Sequence, residues 1–145
     1  MNINRETMAS IVKTSSLLMR VAGRFFSKYI VTDVQFNILL ILKEEKDGLS
    51  QQALSERLTV TKSNIVGLLD RLEKSGLVKR QSHPEDRRTN RVVLTAEGQA
   101  ILKKVEGDYA AEVDKMMDAL SQAEKKSVIN ATQKIREYLK DNWEE

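Results

Sequence analysis

Residue types able to do covalent chemistry are scarce in this chain. Of 145 residues none is cysteine, and a single histidine stands at position 83. Without thiols there is no disulfide framework, no thiolate metal site and no cysteine redox switch. No nucleophile–base pair, Gly-rich phosphate loop or metal-ligand cluster appears, and one histidine on an exposed turn is poorly placed as a general base. The pattern therefore argues against an enzyme and expects no cofactor. What remains is recognition by charge and hydrogen bonding. Residues 61–91 carry eight Lys+Arg against four Asp+Glu, a net +4, whereas residues 105–145 carry six against ten. A basic middle before an acidic end fits a nucleic-acid-binding centre followed by a part with another task.

Two segments of that basic middle have the right composition. Wound as a helix, residues 61–74 put Thr61, Ile65, Leu68, Leu69 and Leu72 in one sector. Ser63, Gly67 and Asp70 lie opposite, flanked by Asn64 and Arg71 on one side and Lys62 and Val66 on the other. One side can dock into a core while the other offers small, hydrogen-bonding side chains. A helix entering a major groove needs both properties, because small residues permit close approach and Ser, Asn and Lys reach base edges or phosphates. Its N-terminus also directs unpaired N–H groups toward phosphate. Gly67 costs about 1 kcal/mol of helix propensity relative to Ala. Close approach to DNA, or to a neighbouring helix, would justify that cost.

The second segment is the turn His83-Pro84-Glu85-Asp86-Arg87-Arg88-Thr89. Arg87, Arg88 and the nearby Arg91 repel one another unless they meet an anion. A narrow minor groove concentrates negative potential and attracts inserted arginine, and Asp86 can orient one guanidinium through a bidentate pair. Lys79 and Arg80, at the base of the preceding strand, are expected to reach phosphates.

The elements that position these residues follow from periodicity and punctuation. An amphipathic helix is predicted over 5–29, then a strongly apolar helix over 34–46, begun at Thr32-Asp33 and stopped by Asp47-Gly48. A short helix follows over 50–58 with Ser50 as its cap, and Thr61 caps the next, which Ser75-Gly76 ends. Residues 77–81 and 90–95 read as strands around the polar turn, a β-hairpin. A long helix begins at Thr95-Ala96-Glu97-Gly98, and the Ser121-x-x-Glu124 capping box opens a last one with Val128, Ala131, Ile135 and Leu139 inward. The predicted class is mainly α with a small β-hairpin (α+β). Two helices joined by a short turn and followed by a hairpin form a winged helix-turn-helix. No apolar run approaches the roughly 20 residues of a membrane span, and no signal peptide opens the chain, so a cytoplasmic protein is expected.

The stretch from Leu49 to Thr95 resembles the MarR family of winged helix-turn-helix transcription regulators. The resemblance is carried by Leu49-Ser50-Gln51 with Leu54 and Leu58, by Val60-Thr61-Lys62-Ser63-Asn64, and by Leu69-Asp70-Arg71-Leu72-Glu73. It continues through Gly76-Leu77-Val78 and His83-Pro84-Glu85-Asp86-Arg87-Arg88 to Leu94-Thr95. Upstream, Thr32-x-x-Gln35-Phe36-x-x-Leu39 is similar to that family's second helix. The flanking helices match in length and placement without a specific motif.

The resemblance implies a ligand-responsive repressor, homodimeric on a palindromic double-stranded DNA operator. Residues 34–95 would be the DNA-binding lobe, and residues 1–30 and 96–145 the helical dimerisation region of a single domain. The DNA-contacting set it implies, joined to the residues read above, is Ser50, Thr61, Lys62, Ser63, Asn64, Arg71, Lys79, Arg80, Asp86, Arg87 and Arg88, with Arg88 in the minor groove. A small aromatic or anionic effector would bind between the dimerisation helices and the lobe, where Arg20, Arg24 or Phe25 can line the cleft. Oxidant sensing through cysteine is out, and His83 alone speaks against zinc sensing. The competing reading is a winged-helix protein-interaction module without DNA binding. Such modules have a neutral or acidic recognition face and a short wing, unlike the +4 of residues 61–91.

Overall fold

In the computed structural model, residues 2–58, 62–82, 85–86 and 90–143 are described, without the side chain of residue 62. The elements are α1 (Ile3–Phe26), α2 (Asp33–Lys43), α3 (Gln51–Leu58), α4 (Lys62–Lys74), β1 (Val78–Ser82), β2 (Asn90–Leu94), α5 (Ala96–Met117) and α6 (Gln122–Trp143). The mainly helical class with one hairpin is the one the periodicity predicts. The expected cap Thr61, with residues 59 and 60 before it, and the turn residues 83–84 and 87–89 lie outside the described residues.

Local chemistry sets the boundaries. The Thr32 hydroxyl accepts from the Gln35 N–H at 3.3 Å while the Gln35 side chain accepts from the Thr32 N–H at 3.0 Å, a complete capping box for α2. Ser50 Oγ caps α3 by accepting from the Ala53 N–H at 3.1 Å. Helix α1 stops at Phe26, short of the predicted Tyr29. Ser27 Oγ donates to the Arg24 carbonyl at 2.7 Å and the Tyr29 N–H turns back to the Phe26 carbonyl at 3.0 Å, consuming its last acceptors.

The chain divides into two compact units, Met1–Glu106 and Gly107–Glu145, with the boundary inside α5. In the first unit, Phe26, Val31, Phe36, Ile38, Leu39 and Leu42 meet Leu54 of α3, Ile65, Leu69 and Leu72 of α4, and Val92 of β2, all buried. The hairpin is antiparallel, with Val78 opposite Leu94 and Arg80 opposite Val92. Leu49 adds a one-residue bridge to its free edge through Leu49 N–H to Val92 O at 3.0 Å and Val92 N–H to Leu49 O at 2.7 Å. Helix α5 seats where the hairpin starts. Thr95 Oγ1 donates to the Gly76 carbonyl at 2.6 Å and accepts from the Gly98 N–H at 3.0 Å. A Cβ at Gly98 would lie 2.1 Å from the Leu77 carbonyl oxygen. Helix and strand entry touch backbone to backbone there.

In the second unit α6 has no buried residue. The expectation that Val128, Ala131, Ile135 and Leu139 face inward is corrected, because these side chains are exposed or half-buried within the chain. A unit below about 40 residues cannot enclose an apolar stripe from both sides. The capping box at its start is present: Ser121 N–H donates to Glu124 Oε2 at 2.8 Å and Glu124 N–H to Ser121 Oγ at 3.3 Å. The Ser121 hydroxyl, and then its N–H, hold the Glu124 carboxyl below its ordinary pKa.

Gly98→Ala should destabilise the chain by about 1–3 kcal/mol through overpacking, measured by urea denaturation. A carboxyl with a depressed folded-state pKa stabilises at pH above its unfolded value and loses that contribution as pH falls through the folded one. The Glu124 side-chain carbon should therefore titrate below a typical glutamate in an NMR pH series. Ser121→Ala should return it upward.

Candidate nucleic-acid interface

Helix α4 separates its residues by what they do. Ile65, Leu69 and Leu72 are 1%, 0% and 1% exposed, so one face is wholly committed to the core. Ser63, Asn64, Asp70 and Arg71 are exposed, as the helical wheel predicts, while Gly67, expected on the outer face, and Leu68, expected in the core sector, are both half-buried. Val66 is exposed on the same outer side. A Cβ at Gly67 would meet nothing within 4 Å. Of the two reasons for a glycine there, packing against a neighbouring helix is thus removed.

Helix α4 ends by rule. Gly76, at φ +75°, occupies the left-handed region that costs a side chain energy. The Leu77 N–H returns to the Leu72 carbonyl and the Gly76 N–H to the Glu73 carbonyl, both at 3.0 Å, the paired bonds of a Schellman cap. This reversal carries the chain directly from α4 into β1 and brings residue 80 back alongside Asp70 and Glu73.

Arg80 is engaged inside the molecule rather than extended toward solvent. Its Nε donates to Gln51 Oε1 at 2.8 Å, Nη1 to Glu73 Oε1 at 3.0 Å and Nη2 to Asp70 Oδ1 at 2.7 Å. Its backbone N–H donates to Glu73 Oε2 at 2.8 Å. The side chain is 20% exposed. The guanidinium that the sequence reading expects at phosphate is thus held, without DNA, by two carboxylates on the nearest turns of α4. Sequence reading missed Gln51, Asp70 and Glu73 as its partners. The spacing of Asp70 and Glu73, three residues apart on one helix face, was the available signal.

The other expected residues fall as follows. Lys79 and Arg71 are exposed on β1 and α4. Ser50 is half-buried and its oxygen serves the α3 cap. Asp86 is exposed, while Thr61, Arg87, Arg88 and the Lys62 side chain lie outside the described residues. Arg91, counted with the turn, points back: its Nη1 donates to the Gly48 carbonyl at 3.0 Å. Its Nε is buried without a hydrogen-bond partner among the described residues. No grouping of three or more His, Cys, Asp or Glu suited to a metal ion occurs among them.

Comparison with known proteins agrees with this geometry. The MarR family model matches residues 31–89, from the start of α2 into the hairpin turn. The transcriptional repressor YetL of Bacillus subtilis is 34% identical over 121 residues, spanning 83% of this chain and 72% of YetL. The chain belongs to the MarR family. It is a helix-turn-helix transcriptional regulator that binds DNA, and not an enzyme. The fold recurs in AbsC of Streptomyces coelicolor, with a TM-score of 0.90 at 24% identity over 98% of this chain and 97% of AbsC. It recurs also in MepR of S. aureus solved with DNA, with a TM-score of 0.80 at 21% identity over 89% and 93% of the two chains. No helix among the described residues is long and apolar enough to cross a membrane.

With open space beside it, Gly67→Ala should raise stability by about 0.5–1 kcal/mol, the usual helix-interior difference. Urea denaturation midpoints of the two proteins provide the check.

Proposed function

We propose that the chain is a cytoplasmic, homodimeric repressor that binds a palindromic operator and is released by a small ligand. The observation that carries this reading is the two-sided character of α4, buried through Ile65, Leu69 and Leu72 and polar through Ser63, Asn64 and Arg71. In this reading Thr61, Lys62, Ser63, Asn64 and Arg71 work in the major groove. Arg88 enters the minor groove with Arg87 beside it and Asp86 orienting a guanidinium. Lys79 meets phosphate, and the Ser50 hydroxyl proton is left to donate to a second one. Gly67 lets the helix approach the bases closely.

Residues 34–95 form the DNA-binding lobe of this reading, and the helices of 1–30 and 96–145 join two copies. Support for the dimer comes from apolar side chains that one chain leaves in water. These include Met8, Val12 and Met19 on α1 and Val128, Leu139 and Trp143 on α6. Repression is supported by the likeness to YetL, itself named a repressor.

For the ligand, the support is an open cleft of about 350 Å³ at the α1–α2 junction, lined in part by Gly23, Phe26, Tyr29 and Ile30. Arg20, Arg24 and Phe25 are not among its lining residues. Phe26 and Tyr29 belong to an aromatic group with Phe25 and Phe36, ring centroids 5.0–6.5 Å apart. Of these four rings Phe26 and Tyr29 line the cleft, and they suit a small aromatic ligand, neutral or anionic.

Footprinting on the DNA upstream of the protein's own gene should protect two half-sites centred roughly 34–36 Å apart, one duplex turn. Protection of a single half-site would contradict the dimer. Arg88→Ala should weaken operator binding by about 1–3 kcal/mol. Gly67→Ala should bind more weakly despite its greater stability, and unchanged affinity would remove Gly67 from the interface.

A further inference from the structure

We infer that Arg80 is a positioning residue for DNA recognition, fixing α4 against α3 and the hairpin while its charge stays within the protein. The inference rests on the reading of α4 and the hairpin as the DNA-contacting elements. Three elements converge on one planar guanidinium: the first residue of α3 through Gln51, two turns of α4 through Asp70 and Glu73, and the middle of β1 through Arg80 itself. Glu73 holds residue 80 twice, by its backbone N–H and by Nη1. Strand β1 cannot slide along α4 without breaking both bonds.

The core contacts of α4 do not supply this precision. Burial of Ile65, Leu69 and Leu72 is apolar and non-directional, so a small roll of the helix about its axis costs little there. The guanidinium fork has fixed donor directions and sits on the opposite flank, where it resists that roll. Rolling α4 would move Ser63, Asn64 and Arg71 together across the groove floor. Charge leads to the same assignment. One guanidinium between two carboxylates leaves a local excess of negative charge, which repels a phosphate rather than binding it. Arg80 therefore serves sequence discrimination, and contributes little to the charge-driven affinity common to all DNA.

The two roles predict different selectivities for one variant. Asp70→Asn/Glu73→Gln removes two negative charges and frees Arg80. If Arg80 were a phosphate contact, this variant would bind operator as selectively as the wild type and more tightly. The clamp predicts tighter binding to a scrambled duplex together with a fall in the operator-to-scrambled affinity ratio of about tenfold, the factor that ~1.4 kcal/mol represents. Arg80→Lys keeps the charge but not the fork, and should lose the ratio similarly. Gln51→Ala removes one partner and should lose part of it. Affinities would be measured by fluorescence anisotropy across a salt series, using a duplex selected by the wild type from a random pool, with thermal melts confirming that each variant is folded. An Arg80→Gln protein whose log–log salt slope falls by about 1 at an unchanged ratio would identify a phosphate contact and overturn the clamp. So would unchanged ratios in Arg80→Lys and Asp70→Asn/Glu73→Gln. A wild type that selects no sequence would instead sink the operator reading, and the role given to Arg80 with it.

Discussion

The structure depends on the docking of α4 by one face. Ile65, Leu69 and Leu72 recur at spacings of four and three residues, and each is buried to within 1%. Burying such side chains contributes roughly 1.5–3 kcal/mol apiece, enough to decide which face of a short helix turns inward. Once that face is chosen, the outward direction of Ser63, Asn64 and Arg71 follows from the helical repeat alone. The same choice places Asp70 and Glu73 on the flank where the Gly76 reversal delivers Arg80. The outward polar side chains and the pairing of Arg80 are thus both consequences of one apolar stripe.

The hairpin is anchored by backbone rather than by side-chain bulk. Leu49 bridges Val92 on one edge, and the Leu77 carbonyl accepts from the Thr95 N–H at 3.1 Å where α5 begins. Gly98 lets α5 lie against that same carbonyl. An isolated two-stranded hairpin is at best marginally stable in water. Here its base is tied to the α2–α3 junction on one side and to α5 on the other, while its far end is left to the arginine-rich turn. A rigid base with a polar tip is the mechanical requirement for placing a few charges at a fixed distance from α4.

What was legible in the sequence was whatever local chemistry decides. Thr32, Ser50, Thr95 and Ser121 cap helices as their types and spacings indicate, since a cap needs only residues within one turn. The α4 stripe was legible because its period is set by helix geometry. The pairing of Arg80 was not, because it requires knowing that a left-handed Gly76 folds β1 back along α4. At the level of sequence, Arg80 beside Lys79 reads as one more solvent-exposed cation. The outward apolar residues of α6 were misread for a related reason. Periodicity reports that a stripe exists, but not whether its partner is in the same chain.

Arg80 and the choice of sequence a regulator must make belong to one division of labour, in which charge and geometry are carried by different side chains. Phosphate contacts raise affinity for any duplex and weaken steeply with salt, whereas base-edge contacts discriminate only if held in register. A cation that reached phosphate from the flank of α4 would raise affinity for every site at once. With Asp70 and Glu73 holding it instead, that flank adds no general attraction. Lys79, the phosphate contact of the proposed reading, remains exposed. In the proposed clamp, carboxylates that look unfavourable beside a DNA-binding face hold α4 in place and so sharpen its preference for sequence.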